Sequence, residues 1–428
     1  MRILRFQKIY LSQFLAVCLI CLSSFRLHAQ NRDTISLSLP QIEAKFLSNN
    51  LKLIAQHYNI DRANAEMLTS KLFPNPVFAF GQGLYTKSRD TNVFSQQTYG
   101  ISQLILTAGK RNKALQLAKV NSENARYEFF DLVRTLKFSL RSNFYNLYYL
   151  QQSINLYQQE ITSLQKTLQA FQLLNQKGNI SQKEVLRIQS LVYSIQSEQA
   201  GLITQTHALQ AELSQLIGAD GKLVVKPDLG GGIGNGIDIS KMPFQTLLDS
   251  ALLNRQDLKI AKSNINYNMA NLKLQKAMAY PDITLSLNYD KKAGYGLQYV
   301  SGGISIPLPI FNRNQGNIRL AKVMLDQSKV LLQDQQNTVQ NELTAGYEDA
   351  VKLEKVYQTF DPKFRNNYQQ LINEVYKNYE KRNISLVEFL DLYTSFKANV
   401  IQMNNLQLQR ITALEKINFL TASQFFNP

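Results

Sequence analysis

Apolar residues recur at alternating spacings of three and four along most of this sequence, and one such stretch shows the pattern on both sides of a short break. The residues before the break are Ile154, Tyr157, Ile161, Leu164, Leu168 and Phe171, and those after it are Val185, Ile188, Val192, Ile195 and Leu202. This alternation is typical of helices that pack side by side in coiled-coil fashion. The break itself consists of Lys177, Gly178, Asn179, Ile180 and Ser181. A Gly-Asn step ends a helix and a serine caps the next one, so the pattern predicts a long helical hairpin with its tip at residues 177–181.

A second break of the same kind interrupts the C-terminal half of the chain. It consists of Lys381, Arg382, Asn383, Ile384 and Ser385. Helices are predicted at residues 110–176 and 181–217 around the first tip, and at residues 312–380 and 386–422 around the second. With a rise of 1.5 Å per residue, the helix over residues 110–176 is expected to be about 100 Å long. The two tips therefore predict two long hairpins.

Four shorter stretches alternate apolar with small or polar residues. They predict strands at residues 77–85, 97–106, 283–289 and 297–307. Each pair of strands follows a helix, the first predicted at residues 39–72, and precedes a long hairpin, so one order of elements occurs twice. Pro74 corresponds to Pro281 at an offset of 207, Gly100-Ile101-Ser102 to Gly303-Ile304-Ser305 at 203, and the tips lie 204 apart. We expect a first repeat at residues 30–218, a glycine-rich linker at 219–242 and a second repeat at 243–428.

The N-terminus carries the pattern of an export signal. An apolar run at residues 9–25 follows Arg2, Arg5 and Lys8 and precedes Leu27-His28-Ala29, which fits a cleavage site. This predicts a secretory signal peptide over residues 1–29. The two cysteines, Cys18 and Cys21, fall inside it, so the mature chain is expected to have no disulfide and no cysteine metal site. Lipidation of Cys18 is the less favoured alternative, because the preceding Val17 fits a lipid-attachment box poorly.

The charge and the histidines narrow the function classes. The formal net charge is +16, but Lys and Arg are scattered along helices in a chain predicted to be secreted, so we interpret the charge as a solvated surface and predict no nucleic-acid partner. Beyond the predicted signal peptide the histidines are His57 and His207, each isolated, and no carboxylate pair has a partnered base or nucleophile. The sequence therefore predicts no enzyme activity, no cofactor and no metal site.

These elements do not fit a compact globule. The helices are too long, and the four strands have no second layer to cover them. A secreted chain satisfies such strands by closing them into a membrane barrel, in which no edge stays unpaired. Four strands cannot close a barrel alone, so several copies must contribute. The pattern predicts an elongated, oligomeric tube that spans the cell envelope.

The two-fold repeat with breaks at Gly178 and Asn383 resembles the TolC family of outer-membrane efflux channels. Further motifs resemble the heavy-metal branch of that family, the cobalt–zinc–cadmium resistance channels of the CzcC type. They are Leu72-Phe73-Pro74-Asn75-Pro76, Gly100-Ile101-Ser102-Gln103, Gly109-Lys110-Arg111, Arg255-Gln256-Asp257-Leu258, Pro281-Asp282-Ile283 and residues 306–316. The resemblance covers nearly all of the chain after the predicted signal peptide.

The resemblance implies a mainly α fold with β-strands. In it, a homotrimer closes a twelve-stranded outer-membrane β-barrel from four strands per chain, and the helices form an α-helical barrel across the periplasm. The implied partners are outer-membrane lipid, a periplasmic membrane-fusion adaptor and an inner-membrane pump of the RND type. The implied function is the exit duct of a tripartite system that exports heavy-metal cations.

The resemblance also implies a gate near the tips, which are the expected docking surface for adaptor and pump. The family's gate tyrosine and its acidic partner fall at Tyr379 and Glu184, and two inward acidic residues fall at Glu388 and Asp391. Each has a plainer interpretation. Glu184 and Glu388 lie in the first turn of a helix, where carboxylates are favourable. Glu388 and Asp391 also fit plain acids of a helix surface. Tyr379 continues an apolar stripe, so packing is favoured for it. The family's gate arginine aligns with Ile384, which leaves Arg382 as its substitute.

Other functions fit parts of the pattern. A channel of the same family for drugs or organic solutes, or for type I protein secretion, is the main alternative to heavy-metal export. A periplasmic adaptor also uses a helical hairpin, but it has one hairpin, whereas this chain has two hairpins with tandem strand pairs.

Overall fold

The computed structural model describes residues 33–84, 96–220, 223–230, 238–293, 296–360 and 364–426. The predicted signal peptide with Cys18, the loop at residues 86–95 and residues 231–236 of the glycine cluster lie outside these ranges. Within the described ranges, no helix is both long and apolar enough to cross a membrane.

The described chain is mainly helical with some strands, which confirms the predicted fold class, and one order of elements occurs twice. The first half contains β1 (Asp33–Ser38), α1 (Leu39–Asn49), α2 (Leu51–Lys71), β2 (Val77–Gln82), β3 (Gln97–Ile105), α3 (Lys110–Gln176), α4 (Gln182–Leu216) and β4 (Leu223–Asp228). The second half contains a 3₁₀ turn (Ile239–Lys241), α5 (Phe244–Asn254), α6 (Gln256–Met278), β5 (Ile283–Ala293), β6 (Gly296–Ser305), α7 (Gln315–Gln358), α8 (Phe364–Glu380) and α9 (Leu386–Thr421).

Two helices predicted as continuous are divided in the structure. The helix expected at residues 39–72 is broken between α1 and α2 by Asn50, whose side chain accepts a hydrogen bond from the Leu53 N–H and donates one to the carbonyl of Leu216. A short polar side chain that caps the next helix is a strong reason to end the previous one. The helix expected at residues 312–380 is divided into α7 and α8. The sequence has Pro362 between them, and a proline removes an intrahelical donor.

A small parallel sheet of β1 and β4 lies where the sequence predicted no strand. β1 pairs with β4 in register from Asp33↔Leu223 to Ser38↔Asp228, and the Gln210 side chain bonds both the N–H and the carbonyl of Val225. This corrects the linker predicted at residues 219–242, because residues 223–228 of it are a strand. The two strands are short and far apart in sequence, so neither shows its partner in the local pattern.

The other sheet has the strand order β2-β3-β5-β6, with all neighbours antiparallel. Directly paired residues share a face of the sheet. One face, the apolar face, carries aromatic and branched side chains, among them Phe78, Phe80, Tyr99, Ile101, Leu285, Leu287, Val300 and Ile304. The opposite face, the small-polar face, carries mainly Gly81, Thr98, Gly100, Ser102, Ser286, Asn288, Ser301 and Gly303. Phe78 and Ile304 are 67% and 71% exposed, so a single chain leaves the apolar face uncovered, as a lipid-facing surface requires.

Within the described residues, three apolar cores hold the helices together. One core joins the two hairpins near their tips and includes Leu164, Ile188, Phe389 and Phe396. A second packs α1, β1 and β4 against α3 and α4. A third packs α5 and α7 against α9. The second core also contains a buried ion pair, in which Arg141 of α3 lies between Glu43 of α1 and Glu415 of α9.

We expect Arg141→Ala to destabilise the helical part of the protein strongly. Arg141 Nη1 lies 2.8 Å from Glu415 Oε1, and the Glu415 side chain is only 2% exposed. Its removal leaves a buried carboxylate without a counter-charge, which costs about 3–5 kcal/mol. The measurement is thermal unfolding of the purified protein in detergent, followed by circular dichroism. Lys329→Ala, whose partner Asp326 is 59% exposed, is the control and should shift the midpoint little. Equal shifts for the two variants would contradict the prediction.

Candidate functional site: the two hairpin tips

Both tips end their first helix with the same backbone motif. At the first tip, the N–H groups of Gly178 and Asn179 donate to carbonyls of the last helical turn at 2.8 and 2.9 Å. At the second tip, the N–H groups of Arg382 and Asn383 make the same two hydrogen bonds at 3.0 and 2.8 Å. This is the Schellman motif, which requires a left-handed residue directly after the helix.

The left-handed residue differs between the tips. Gly178 has a φ of 73° and Arg382 a φ of 62°. A residue with a side chain pays roughly 1–2 kcal/mol for this conformation, whereas glycine adopts it freely. The Arg382 side chain offsets part of this cost, because its Nη2 donates a hydrogen bond to the carbonyl of Asn179 at 3.3 Å. Arg382 thus joins the two tips within one chain. It lies two positions before Ile384, the residue that aligns with the family's gate arginine.

Glu184 and Glu388, which are expected to gate, lie in the caps of the helices that leave the tips, but only Glu184 does so through its side chain. The Glu184 carboxylate accepts a hydrogen bond from the Ser181 N–H at 3.2 Å, as part of a capping box. At the second tip the cap is the Ser385 hydroxyl, which accepts from the Glu388 N–H at 3.2 Å. Glu184 thus satisfies a free backbone donor at the start of α4.

Tyr379 packs inside the hairpin core. Its ring stacks on Phe389, with centroids 4.3 Å apart and an interplanar angle of 10°, and it also contacts Phe171. Its hydroxyl is buried and has no hydrogen-bond partner in the described part of the chain. Burial, and then the charge of Glu184, raises the pKa of Tyr379. Among the described residues no hydrogen bond joins Tyr379 to Glu184, and the favoured packing interpretation of Tyr379 fits this geometry.

The remaining predicted site residues lie at the surface of the chain. Glu388 and Asp391 are exposed, one turn apart on α9. Lys177, Gly178, Asn179, Ser181, Lys381, Arg382, Asn383 and Ser385 are exposed as well. Ile180 and Ile384 are half-buried and pack on the hairpin core, so each tip rests on one apolar side chain and presents polar groups outward. Among the described residues, no group of three or more His, Cys, Asp or Glu side chains is arranged to hold a metal ion.

A buried carboxyl that sequence reasoning missed joins the two hairpins. Glu160 of α3 is 5% exposed and accepts a hydrogen bond from the Tyr376 hydroxyl of α8 at 2.6 Å. Tyr393 of α9 lies close enough for the charge of Glu160, after burial, to raise the pKa of Tyr393. Burial raises the pKa of the Glu160 carboxyl, and the hydrogen bond from Tyr376 opposes that shift. The signal was present in the sequence, because Glu160 follows Tyr157 by three and so occupies a position of the apolar stripe.

A second carboxylate joins the hairpins closer to solvent. Glu198 of α4 accepts hydrogen bonds from Tyr157 at 2.7 Å and from Lys397 of α9 at 2.9 Å. Burial opposes ionisation here, but Lys397 and Tyr157 together hold the pKa of Glu198 below its usual range. The two glutamates therefore lie in opposite electrostatic environments. Glu160 is buried without a cation beside it among the described residues, whereas Glu198 is paired with Lys397.

The motif residues Lys110 and Asp282 meet where the strands join the long helices. Lys110 Nζ lies 2.7 Å from Asp282 Oδ1 and donates to the carbonyl of Tyr280 at 2.7 Å. The N–H of Thr107 donates to the same carboxylate at 2.9 Å. Lys110 is 5% exposed. This buried contact fastens the start of α3 in the first repeat to the start of β5 in the second.

Comparison with protein families gives a match to both halves of the chain. A family model described as outer membrane efflux protein matches residues 44–219 and 247–423. The cobalt-zinc-cadmium resistance protein CzcC of Cupriavidus metallidurans is 21% identical over 374 residues, which cover 86% of this chain and 87% of that protein.

Solved structures share the fold at low identity. A membrane protein from Pseudomonas aeruginosa has a TM-score of 0.74 at 16% identity, covering 90% of each chain. The CmeC outer membrane channel of Campylobacter jejuni has a TM-score of 0.72 at 13% identity, covering 91% of this chain and 87% of that one. At these identities the likeness establishes the fold.

We expect Glu388→Ala combined with Asp391→Ala to raise the single-channel conductance or to lower cation selectivity. Removal of two exposed carboxylates per chain weakens the negative potential that favours cations at the tips, which lowers the selectivity. It also replaces two longer side chains at the expected constriction by methyl groups, which raises the conductance. Both quantities are measured in planar lipid bilayers. Glu348→Ala combined with Asp334→Ala, which removes the same charge from exposed positions of α7, is the control. Unchanged conductance and unchanged selectivity in the tip variant would refute the gating role.

We expect Glu160→Gln to stabilise the protein at about pH 8 and to have little effect at about pH 5. The raised pKa of Glu160 means that the folded chain holds this proton more tightly than the unfolded chain, so stability falls as the pH rises above the usual glutamate range. Glutamine keeps the acceptor for Tyr376 and carries no charge. The measurement is the unfolding midpoint of variant and wild type at the two pH values.

Glu198→Gln provides the control of opposite sign. The pKa of Glu198 is lowered in the folded chain, so its stabilising effect is present at neutral pH and is lost as the pH falls. Its replacement should therefore lower the midpoint at about pH 8. If Glu160→Gln also lowered the midpoint at that pH, the assignment of Glu160 as a buried, costly charge would be wrong.

Proposed function

Because the chain belongs to the outer membrane efflux protein family, we propose that it is the exit duct of a tripartite system that exports heavy-metal cations across the periplasm and outer membrane. Members of the family are trimeric outer-membrane channels that catalyse no reaction and work with an adaptor and an inner-membrane pump. The chain supplies the conduit, and the energy comes from the pump.

The match to CzcC carries the metal assignment. That protein is named for resistance to cobalt, zinc and cadmium, and its similarity runs along 86% of this chain. The motifs that resemble the CzcC type include Lys110 and Asp282, which lie together at the junction of strands and helices. These two residues have a structural role at that junction, so the assignment of cargo rests on the whole-length match.

Passage of cations through such a duct needs no coordinating site. A hydrated ion crosses a water-filled pore lined by polar groups, and fixed charges along the path select its sign. The small-polar face of the sheet offers hydroxyl and amide groups such as Ser286 and Asn288 for the barrel interior. Glu388 and Asp391 place carboxylates near the end at which cations enter.

The hairpin tips are the proposed docking surface for a periplasmic membrane-fusion adaptor and for an inner-membrane pump of the RND type. Their exposed groups are mainly polar, with Lys177, Lys381 and Arg382 adding positive charge, so an acidic or hydrogen-bonding partner surface fits them. In this proposal a cleaved signal peptide at residues 1–29 takes the chain through the inner membrane, and the chain then lies in the outer membrane with a long periplasmic extension.

Deletion of the gene is expected to lower the metal concentrations that the cells tolerate several-fold, because the pump then lacks an exit. Growth is measured in graded zinc, cobalt, cadmium and copper and, in parallel, across a panel of organic drugs. Plasmid-borne wild-type protein should restore growth in metal.

Sensitivity confined to organic drugs would overturn the metal assignment and favour the channel for drugs or organic solutes. Unaltered growth in every metal and drug, together with lost export of a protein substrate, would favour type I secretion instead.

A further inference from the structure

In the part of the chain that the structure describes, the four-stranded sheet ends in two edge strands, each paired with one neighbouring strand only. β2 and β6 are its outer strands, and their side chains are well exposed, with Val77 at 61% and Ile304 at 71%. An exposed edge presents a row of free N–H and C=O groups that pair readily with another strand. A second copy of this chain offers the complementary edge. Because the chain contains two repeats, the register between copies can be derived from the register between the repeats.

The two repeats use the same register within each hairpin of strands. Val77 pairs with Ser102 in the first repeat, and Thr284 pairs with Ser305 in the second. The first members are 207 residues apart and the second members 203 apart, which are the offsets visible in the sequence. The next pairs, Phe78↔Ile101 and Leu285↔Ile304, obey the same offsets. The repeat is therefore structural, residue for residue, in the strands.

The contact between the repeats supplies the template for the contact between copies. β3 pairs with β5 in a register that includes Ser102↔Ser286 and Gly100↔Asn288. β6 is the counterpart of β3, and β2 is the counterpart of β5. Ser102 lies 203 residues before its counterpart Ser305, and Ser286 lies 207 residues after its counterpart Ala79. The pair Ser102↔Ser286 therefore becomes Ser305↔Ala79 between copies.

We propose that β6 of one copy pairs antiparallel with β2 of the next in the register Ser305↔Ala79, with the partner's Ala79 directly opposite Ser305. In the same register Gly303 lies opposite the partner's Gly81, and Ile304 opposite the partner's Phe80. We call this pairing the seam. It rests on the proposed function, since it requires the chain to assemble as a ring of copies, and it adds the residues that close the ring.

The two faces of the sheet agree with this register. Ser305 and Gly303 lie on the small-polar face, as do Ala79 and Gly81, while Ile304 and Phe80 lie on the apolar face. A slip of one residue would move Phe80 to the small-polar face and Ala79 to the apolar face, because side chains alternate along a strand. The small-polar side of the seam carries only Gly, Ala and Ser at these pairs, so the two backbones approach without obstruction.

The seam differs from its template at one point. Inside a chain, Lys110 and Asp282 form the buried ion pair where strands meet helix. At the seam, the first residue of α7 is Gln315, and the counterpart of Asp282 is Asn75 at the strand offset. Both are exposed in the single chain. Arg313 lies two residues before Gln315, so the seam lacks the carboxylate of its template rather than all charge. Backbone hydrogen bonds and the apolar face hold it.

Disulfide cross-linking tests the register in the assembled full-length protein. The variant Ser305→Cys with Ala79→Cys should form oligomers of dimer and trimer size that survive SDS and disappear on reduction, because directly opposite residues lie within the distance a disulfide spans. The matched control is Ser102→Cys with Ser286→Cys, the internal counterpart, which should form a disulfide and stay at monomer size. Wild type, with Cys18 and Cys21 only, should give no cross-link.

Two further double-cysteine variants test the neighbouring registers. Ser305→Cys with Val77→Cys and Ser305→Cys with Gly83→Cys keep the face but shift the partner by two or four residues. Stronger cross-linking in either of them than with Ala79→Cys would overturn the proposed register. Native trimers that lack every one of these cross-links would overturn the seam while leaving the channel function intact. A wild-type protein that is monomeric in detergent and in membranes would instead refute the proposed function.

Discussion

The structure depends on a shortage of backbone hydrogen-bond partners at the two edges of the four-stranded sheet. A strand edge in a membrane has no water to bond, so each free N–H and C=O there costs several kcal/mol. One chain cannot curl four strands into a closed wall, and both faces of its sheet are uncovered. Assembly with further copies is thus a condition for the sheet to exist in a membrane, rather than an addition to a finished fold.

The internal repeat provides a strand pairing that can be used again between copies. Each repeat contributes two strands and one long hairpin, and the step from the first repeat to the second is already made within the chain by β3 and β5. A ring of copies needs only to make the same step again. The tie between Lys110 and Asp282 fixes the angle at which α3 leaves the sheet, because the lysine is buried and bonded to both the Asp282 carboxylate and the Tyr280 carbonyl. The direction of the hairpins is therefore set at the sheet, about 100 Å from the tips.

Local pattern was enough to find the elements whose signal repeats along the chain. The limits of α3, Lys110–Gln176, follow from an uninterrupted stripe, and the tips follow from Gly178 and from the serines that cap α4 and α9. The pairing of β1 with β4 left no such signal, because Ile35 and Val225 are brought together by the packing of α1 and α3 rather than by any neighbour in sequence. Family resemblance placed Tyr379, Glu184, Glu388 and Asp391 near the tips, and the spacing of Ser181 and Glu184 indicated the start of a helix. Neither showed that Tyr376 is the hydrogen-bond donor to the buried Glu160. That contact depends on which side chains surround Glu160 in three dimensions.

The two tips are unequal in a way that constrains how the hairpins can move. Arg382 accepts a left-handed backbone that Gly178 adopts without strain, and its side chain binds the first tip through the Asn179 carbonyl. Behind the tips, Tyr379 stacks on Phe389, and Tyr376 donates to the buried Glu160 of the other hairpin. Separation of the hairpins would break the exposed Arg382 contact at small cost, but it would also expose the apolar core that the hairpins share, which includes Leu164, Ile188, Phe389 and Phe396. Loss of that core costs more free energy than loss of the Arg382 contact. Displacement of the two hairpins as a pair therefore costs less free energy than their separation. The contact of Arg382 with Asn179 at the tips is too weak to change this.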